Sequence, residues 1–166
     1  MRWEPVRWEQ LGDLYNLSGA LTSARDAANA YDNAVFLDPR GIGARRKLAA
    51  AEMMLGQSKE AVVQLEYCLC KVDAKTQQEL VPLYAAACAD AGEFKRGIAF
   101  CNARAGTEHV SQYRVAQAIL EKATGNRDEA VRLLAEVEKG EEPSSQIAEC
   151  AKTLRTRYAA EQGGRK

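Results

Sequence analysis

Hydrophobic and polar positions follow one pattern that occurs three times along the chain. The stretches "LGQSKEAVVQL", "AGEFKRGIAFC" and "TGNRDEAVRLL" each contain a glycine, four mostly polar residues, a small residue and then an apolar run. An alanine-rich stretch with apolar residues at helical spacing precedes each glycine. Because alanine favours helices and the residue after a helix often adopts a left-handed conformation, the pattern predicts pairs of helices joined by a glycine turn.

The spacing of these glycines indicates a repeat. Gly56, Gly92 and Gly125 lie 36 and 33 residues apart, which is typical of arrays of helix pairs. The periodicity predicts nine helices, at 5–17, 23–37, 43–55, 58–71, 77–91, 94–105, 110–124, 127–138 and 144–161. The last has one apolar and one charged face, as expected of a helix that covers the end of an array.

The first predicted helix pair carries a known motif. Its first half has an aromatic, Leu-Gly and a tyrosine, and its second half has alanines, a tyrosine and a closing proline: Trp8, Leu11, Gly12, Tyr15, Ala27, Tyr31, Ala34 and Pro39. With about three extra residues between its halves, this pair resembles the tetratricopeptide repeat (TPR) family. The resemblance implies an all-α, right-handed α-α solenoid of about four TPR-like helix pairs. We expect these pairs at 5–39, 42–73, 78–109 and 111–143, followed by a capping helix at 144–161 and a flexible tail at 162–166.

Composition and charge narrow the range of partners. The chain has 166 residues and is 46% apolar and 28% charged, with 23 basic and 23 acidic residues. Balanced charge gives no overall basic field for nucleic acid or an anionic membrane. No apolar run approaches the roughly 20 residues that a membrane-spanning helix needs. The start "MRWEPVRWEQ" has charges where a signal peptide has its apolar stretch, so we expect a cytoplasmic protein that neither inserts into membranes nor binds nucleic acid.

Candidate chemistry along the chain is sparse. Cys68 and Cys70 are two residues apart, so on a helix they point to different sides and cannot share one metal ion. The one histidine, His109, supplies neither a zinc site nor a hydrolytic triad. We therefore expect no metal, no cofactor, no catalytic residue and no enzymatic activity. Five cysteines fit thiols in a reducing compartment, and Cys88 and Cys101 are candidates to face each other within one helix pair.

The resemblance implies a binding groove on the concave face, lined by the first helix of each pair. The positions expected to line it are Glu9, Asp13, Arg46, Lys47, Ala50, Met53, Leu83, Ala86, Val115 and Ile119. Some family members bind the C-termini of chaperones through a carboxylate clamp, a fixed set of Lys, Asn and Arg on this face. Here the corresponding positions hold Glu9, Asp13, Lys47, Glu79 and Leu83, so the clamp is absent. The remaining surface would have an acidic entrance, a basic step and a largely apolar floor. The alternative is that Leu83, Val115 and Ile119 pack between the repeats.

A basic cluster precedes and opens the third predicted helix, at Arg40, Arg45, Arg46 and Lys47. Cations there oppose the helix dipole, at about 0.3–1 kcal/mol each, so another interaction must favour them. The cluster is either a solvated surface beside acids such as Asp38 or a binding site for the carboxylate of a bound peptide.

These patterns favour a non-catalytic adaptor that binds a peptide or amphipathic helix of another protein in its groove. One alternative is a structural subunit of a larger assembly, with Trp3 and Trp8 as an anchor. A second is a TPR chaperone of the type III secretion kind, which holds a secreted protein. A thiol-dependent enzyme is a remote fourth hypothesis, and self-association stays open.

Overall fold

A computed structural model describes residues 4–17, 21–104, 110–140 and 145–160, and these ranges hold helices and turns and no strand. The helices within them are α1 Pro5–Leu17, α2 Leu21–Leu37, α3 Ile42–Met54, α4 Ser58–Leu69, α5 Ala74–Ala91, α6 Phe94–Ala103, α7 Val110–Ala123, α8 Arg127–Lys139 and α9 Ser145–Ala160. The predicted all-α fold is confirmed. The tail at 162–166 and His109 lie outside the described residues.

The three turn glycines have the backbone conformation that the repeat pattern predicts. Gly56, Gly92 and Gly125 have φ angles of 73°, 70° and 89°. Gly92 directly follows the last residue of α5, and one residue separates Gly56 from the end of α3 and Gly125 from the end of α7. The space beside them is open, so the positive φ, rather than crowding, selects glycine there.

Helix α5 differs from its predicted position. It begins at Ala74 and not at residue 77, because the Asp73 carboxylate accepts a hydrogen bond from the backbone N–H of Thr76 at 2.8 Å. This is the hydrogen bond of a helix N-cap, and it lowers the pKa of Asp73. Pro82 lies eight residues after Ala74, inside α5, where it cannot donate a hydrogen bond.

The chain divides into two compact units, Met1–Leu80 and Val81–Lys166. Unit 1 contains α1 to α4 and the start of α5. Its core includes Tyr31 and Val35 of α2 and Leu48 of α3, with Trp8 packed at the edge. The small residue Ala61 is fully buried, as the helix-pair pattern requires.

Unit 2 contains the rest of α5 and α6 to α9. The rings of Tyr84, Phe100 and Tyr113 pack in a row with tilted planes, and neighbouring centroids are 4.8 and 6.5 Å apart. Gly97 is buried because the Leu120 side chain and Cys88 occupy the space where its Cβ would lie.

Helix α9 packs on the last helix pair of unit 2. Ala151 and Tyr158 are buried in a cluster with Leu134 and Val137 of α8. Arg155 binds the Glu138 carboxylate with distances of 2.5 and 3.0 Å, and Arg127 donates to the backbone carbonyl of Tyr158. The Lys122 ammonium lies 4.8 Å from the centre of the Tyr158 ring. Both apolar and polar contacts therefore hold α9.

Candidate functional site

An ion-pair network joins the first helices of the two pairs in unit 1. The Lys47 ammonium of α3 lies 2.8 Å from the Glu9 carboxylate and 2.7 Å from the Asp13 carboxylate, both on α1. Burial opposes the charge on Lys47, but the hydrogen bonds to Asp13 and Glu9 outweigh it and raise the pKa of Lys47. Three of the predicted groove residues are thus brought together, and their ion pairs link α1 to α3.

Asp13 also connects this network to the core. The Tyr31 hydroxyl of α2 donates to Asp13 at 2.9 Å. Burial, followed by the hydrogen bond to Asp13, raises the pKa of Tyr31. The carboxylate therefore has a fixed position, accepting from Tyr31 on one side and from Lys47 on the other.

The other cations at the start of α3 are also occupied by groups of this chain. Arg45 donates to the Pro39 carbonyl at 2.9 and 3.1 Å and to the Gln64 amide, and its guanidinium carbon lies 4.1 Å from the centre of the Tyr67 ring. Arg46 pairs with Glu79 at 3.1 Å. These contacts explain why cations are tolerated at a helix N-terminus. For Arg45, Arg46 and Lys47, they favour a charged surface whose partners lie in this chain over a binding site for a peptide carboxylate.

An apolar area adjoins the ion pairs. Ala50 is exposed and Met53 is half-buried on α3. Met54 is 55% exposed, and Leu17 at the end of α1 is 83% exposed. Because Met54 follows Lys47 by seven residues and Leu17 follows Asp13 by four, each lies on the face that carries the network. We call the set Glu9, Asp13, Leu17, Lys47, Ala50, Met53 and Met54 the unit 1 wall.

The predicted groove residues of unit 2 are more enclosed. Leu83 and Ala86 of α5 are half-buried. Val115 is only 8% exposed and belongs to the α7–α8–α9 core, against which Ile119 packs. Val115 and Ile119 therefore contact their own unit, which is the packing alternative that the sequence left open.

Sequence reasoning missed Leu17 and Met54. In the described residues, the large apolar side chains that remain exposed all belong to unit 1: Val6, Leu14, Tyr15, Leu17, Phe36, Met54 and Val63. The signal was present, because Leu17 and Met54 each follow a predicted groove residue, Asp13 or Ala50, by one helical turn. The sequence instead predicts much of the apolar floor farther along the chain, at Leu83, Val115 and Ile119.

Three of the five cysteines are placed as packing residues. Cys68, Cys88 and Cys101 are buried, and none of the five cysteines, all in the described part of the chain, forms a disulfide. Burial raises the pKa of Cys68, and burial together with Cys88 raises the pKa of Cys101 to about 12. The nucleophilic thiolate is therefore disfavoured at both positions. Across the described ranges, no group of three or more metal-binding side chains converges.

Helices packed in consecutive pairs, glycine turns and a covering last helix give the described residues a helical-repeat fold of the TPR type. Among the described helices, none has the length and apolar character to cross a bilayer.

The comparisons with known proteins agree on the fold. No family model matches the sequence, and no curated protein matches it. Among solved structures, the chain is similar to a tetratricopeptide repeat protein from Parabacteroides merdae, with a TM-score of 0.64 and 19% identity over 96% of this chain and 60% of that one. It is similar to MamA, with a TM-score of 0.62 and 17% identity over 94% and 86% of the two chains. It is also similar to YrrB, a TPR protein with an unusual peptide-binding site, with a TM-score of 0.53 and 17% identity over 93% and 77%. The TPR resemblance is thus confirmed for the fold.

Proposed function

We propose that this protein is a non-catalytic interaction module that binds a peptide or amphipathic helix of a partner protein. The guest lies on the exposed faces of α1 and α3, with the unit 1 wall as the main contact and Arg46 as a further candidate. The observation that carries the proposal is the exposed apolar area of Leu17, Ala50 and Met54 beside a fixed ion-pair network.

The two parts of the wall have different roles in this proposal. The apolar area takes apolar side chains of the guest, because burying them supplies the binding free energy. The network of Glu9, Asp13 and Lys47 sets register and excludes guests with the wrong charge. The fold neighbour YrrB, a TPR protein with a peptide-binding site, supports this kind of use. We place the protein in the cytoplasm, where its buried thiols stay reduced.

A pull-down from the native extract, read by mass spectrometry, tests the proposal. Ala50→Glu with Met53→Glu puts two carboxylates in the apolar area and should reduce capture of the partner at least tenfold, because burying one unpaired charge costs several kcal/mol. Val63→Glu on α4, whose parent side chain is 51% exposed, is the matched control. Circular dichroism checks that all variants stay helical. Undiminished capture by the double variant would reject the wall as the binding site.

A second candidate, a structural subunit of an assembly, is favoured by other exposed apolar residues. Trp3 lies outside the described residues, and Trp8 packs on the unit 1 core, so Trp8 is not an exposed anchor. Phe36 on α2 is 80% exposed, and Leu14 on α1 is 65% exposed. Loss of capture with Phe36→Glu, but not with the wall variant, would favour this candidate.

A further inference from the structure

Two surface carboxyl groups from α2 and α4 act electrostatically on a buried carboxyl group of α3 in unit 1. Glu52 of α3 is 8% exposed, whereas Asp32 of α2 and Glu60 of α4 lie at the surface. Both are close enough for their charges to act on the Glu52 carboxyl. Within the described ranges, none of the three makes an ion pair. We call Asp32, Glu52 and Glu60 the acidic joint.

The Glu52 carboxyl has an unusual environment for a charged group. Its Oε2 atom is buried without a hydrogen-bond partner. A buried polar atom without a partner destabilises a fold by about 1–3 kcal/mol, and by more when the group is charged. Glu52 also lies in the last turn of α3, where the unpaired carbonyls of a helix carry partial negative charge.

Among the residues that the structure describes, no basic group offsets this environment. The charges that act on Glu52 from the neighbouring helices, Asp32 and Glu60, are both negative. On α3 itself, Arg45 shares the face of Glu52 two turns earlier, but the Pro39 carbonyl and Gln64 hold its guanidinium. Burial, then Glu60, then Asp32 raise the pKa of Glu52 from 4.5 to about 7.

We propose that the acidic joint makes unit 1 proton-sensitive: protonated Glu52 stays buried among α2, α3 and α4, and loss of its proton opens the end of α3. The ionised carboxylate needs water, and it reaches water when the last turn of α3 separates from its neighbours. The turn at Leu55–Gln57 follows directly and would open with it, because the N–H groups of Leu55 and Gln57 donate to the Glu52 backbone carbonyl. This opening does not depend on whether unit 1 binds a partner protein.

The sign follows from the two pKa values. Opening returns Glu52 to water and to its ordinary pKa of 4.5, whereas the closed joint holds it near 7. Between those values the closed state binds more protons, so its stability is greatest at low pH and falls as pH rises. By proton linkage, the opening equilibrium should increase roughly tenfold between pH 6 and pH 8.

Hydrogen–deuterium exchange on the full chain measures this opening. After correction for the intrinsic pH dependence of exchange, amides at 48–60 should open roughly tenfold more at pH 8 than at pH 6. Glu52→Gln, which keeps the shape but cannot ionise, should remove this rise. Glu4→Gln changes an exposed carboxylate before α1 and should keep it.

Equal opening of the wild-type protein at both pH values, or the same rise in Glu52→Gln, would overturn the proposal. Carbon-13 NMR of the wild-type carboxyl gives a second reading that needs no variant. We expect the Glu52 carboxyl to titrate near 7, and a midpoint near 4.5 would contradict the joint even if Glu52→Gln failed to fold.

Discussion

Gly12 shows at the residue scale how one missing side chain permits the wall. It lies inside α1, and a Cβ built there would overlap the Tyr31 ring, whose Cδ1 atom would be only 2.6 Å away. The close approach lets Tyr31 reach Asp13, which in turn holds Lys47. The glycine of the sequence motif therefore allows a contact between helices, whereas the turn glycines allow a backbone conformation.

We predict that Gly12→Ala destabilises the protein by about 1–3 kcal/mol, because the methyl group and the Tyr31 ring cannot occupy the same space. Alanine's better helix propensity, about 1 kcal/mol, offsets only part of this cost. Urea denaturation followed by circular dichroism measures the change.

Gly43→Ala is the matched control. Its Cβ would meet the Oε1 atom of Glu9 at 3.2 Å, at the end of a side chain that can move. We expect no loss of stability, and a gain of up to about 1 kcal/mol from the better helix propensity of alanine. Equal losses for the two variants would contradict the packing role of Gly12.

At the element scale, helix α9 covers one side of the unit 2 core. Its apolar residues cover the α7–α8 pair, and its exposed side carries charged residues such as Glu149 and Lys152. The helix thus has the features of a capping element, as the sequence predicted from its two faces.

Ending the chain at residue 140 removes α9 and should destabilise unit 2 by more than about 2 kcal/mol, which is the cost of losing one buried apolar side chain. Hydrogen exchange should increase in α7 and α8 and stay unchanged in α1 to α3. Removing only 161–166 serves as the control. Unchanged protection of α8 in the shorter chain would show that α9 does not cap the unit.

At the scale of the whole molecule, exposed apolar surface is unevenly distributed. The large exposed apolar side chains of the described residues lie in unit 1, and two of them, Leu17 and Met54, lie on the helix faces that carry the ion pairs of Lys47. Unit 2 instead buries Val115 and packs Ile119 on its core. The proposed function therefore relies mainly on unit 1.

The fold could be predicted from the sequence because its signals are local. Glycine turns and helical periodicity place most helix ends within about two residues. The start of α5 was missed although Asp73, its cap, is also a local signal. The site was harder to predict. Lys47 and Asp13 lie 34 residues apart, and no local pattern shows that they pair. The acidic joint was missed for the same reason, since only the packing of three helices brings Asp32 and Glu60 near enough to act on Glu52.

Photo-crosslinking tests the central claim, that the exposed face of the first helices holds a partner protein. A photoreactive residue replaces Ala50 in the unit 1 wall of the full chain, and in a second sample it replaces Asn29, which is exposed on α2. In the native cells, we expect a covalent adduct with one partner segment at position 50 and none at position 29. A partner that crosslinks at position 29 and not at position 50 would contradict the account.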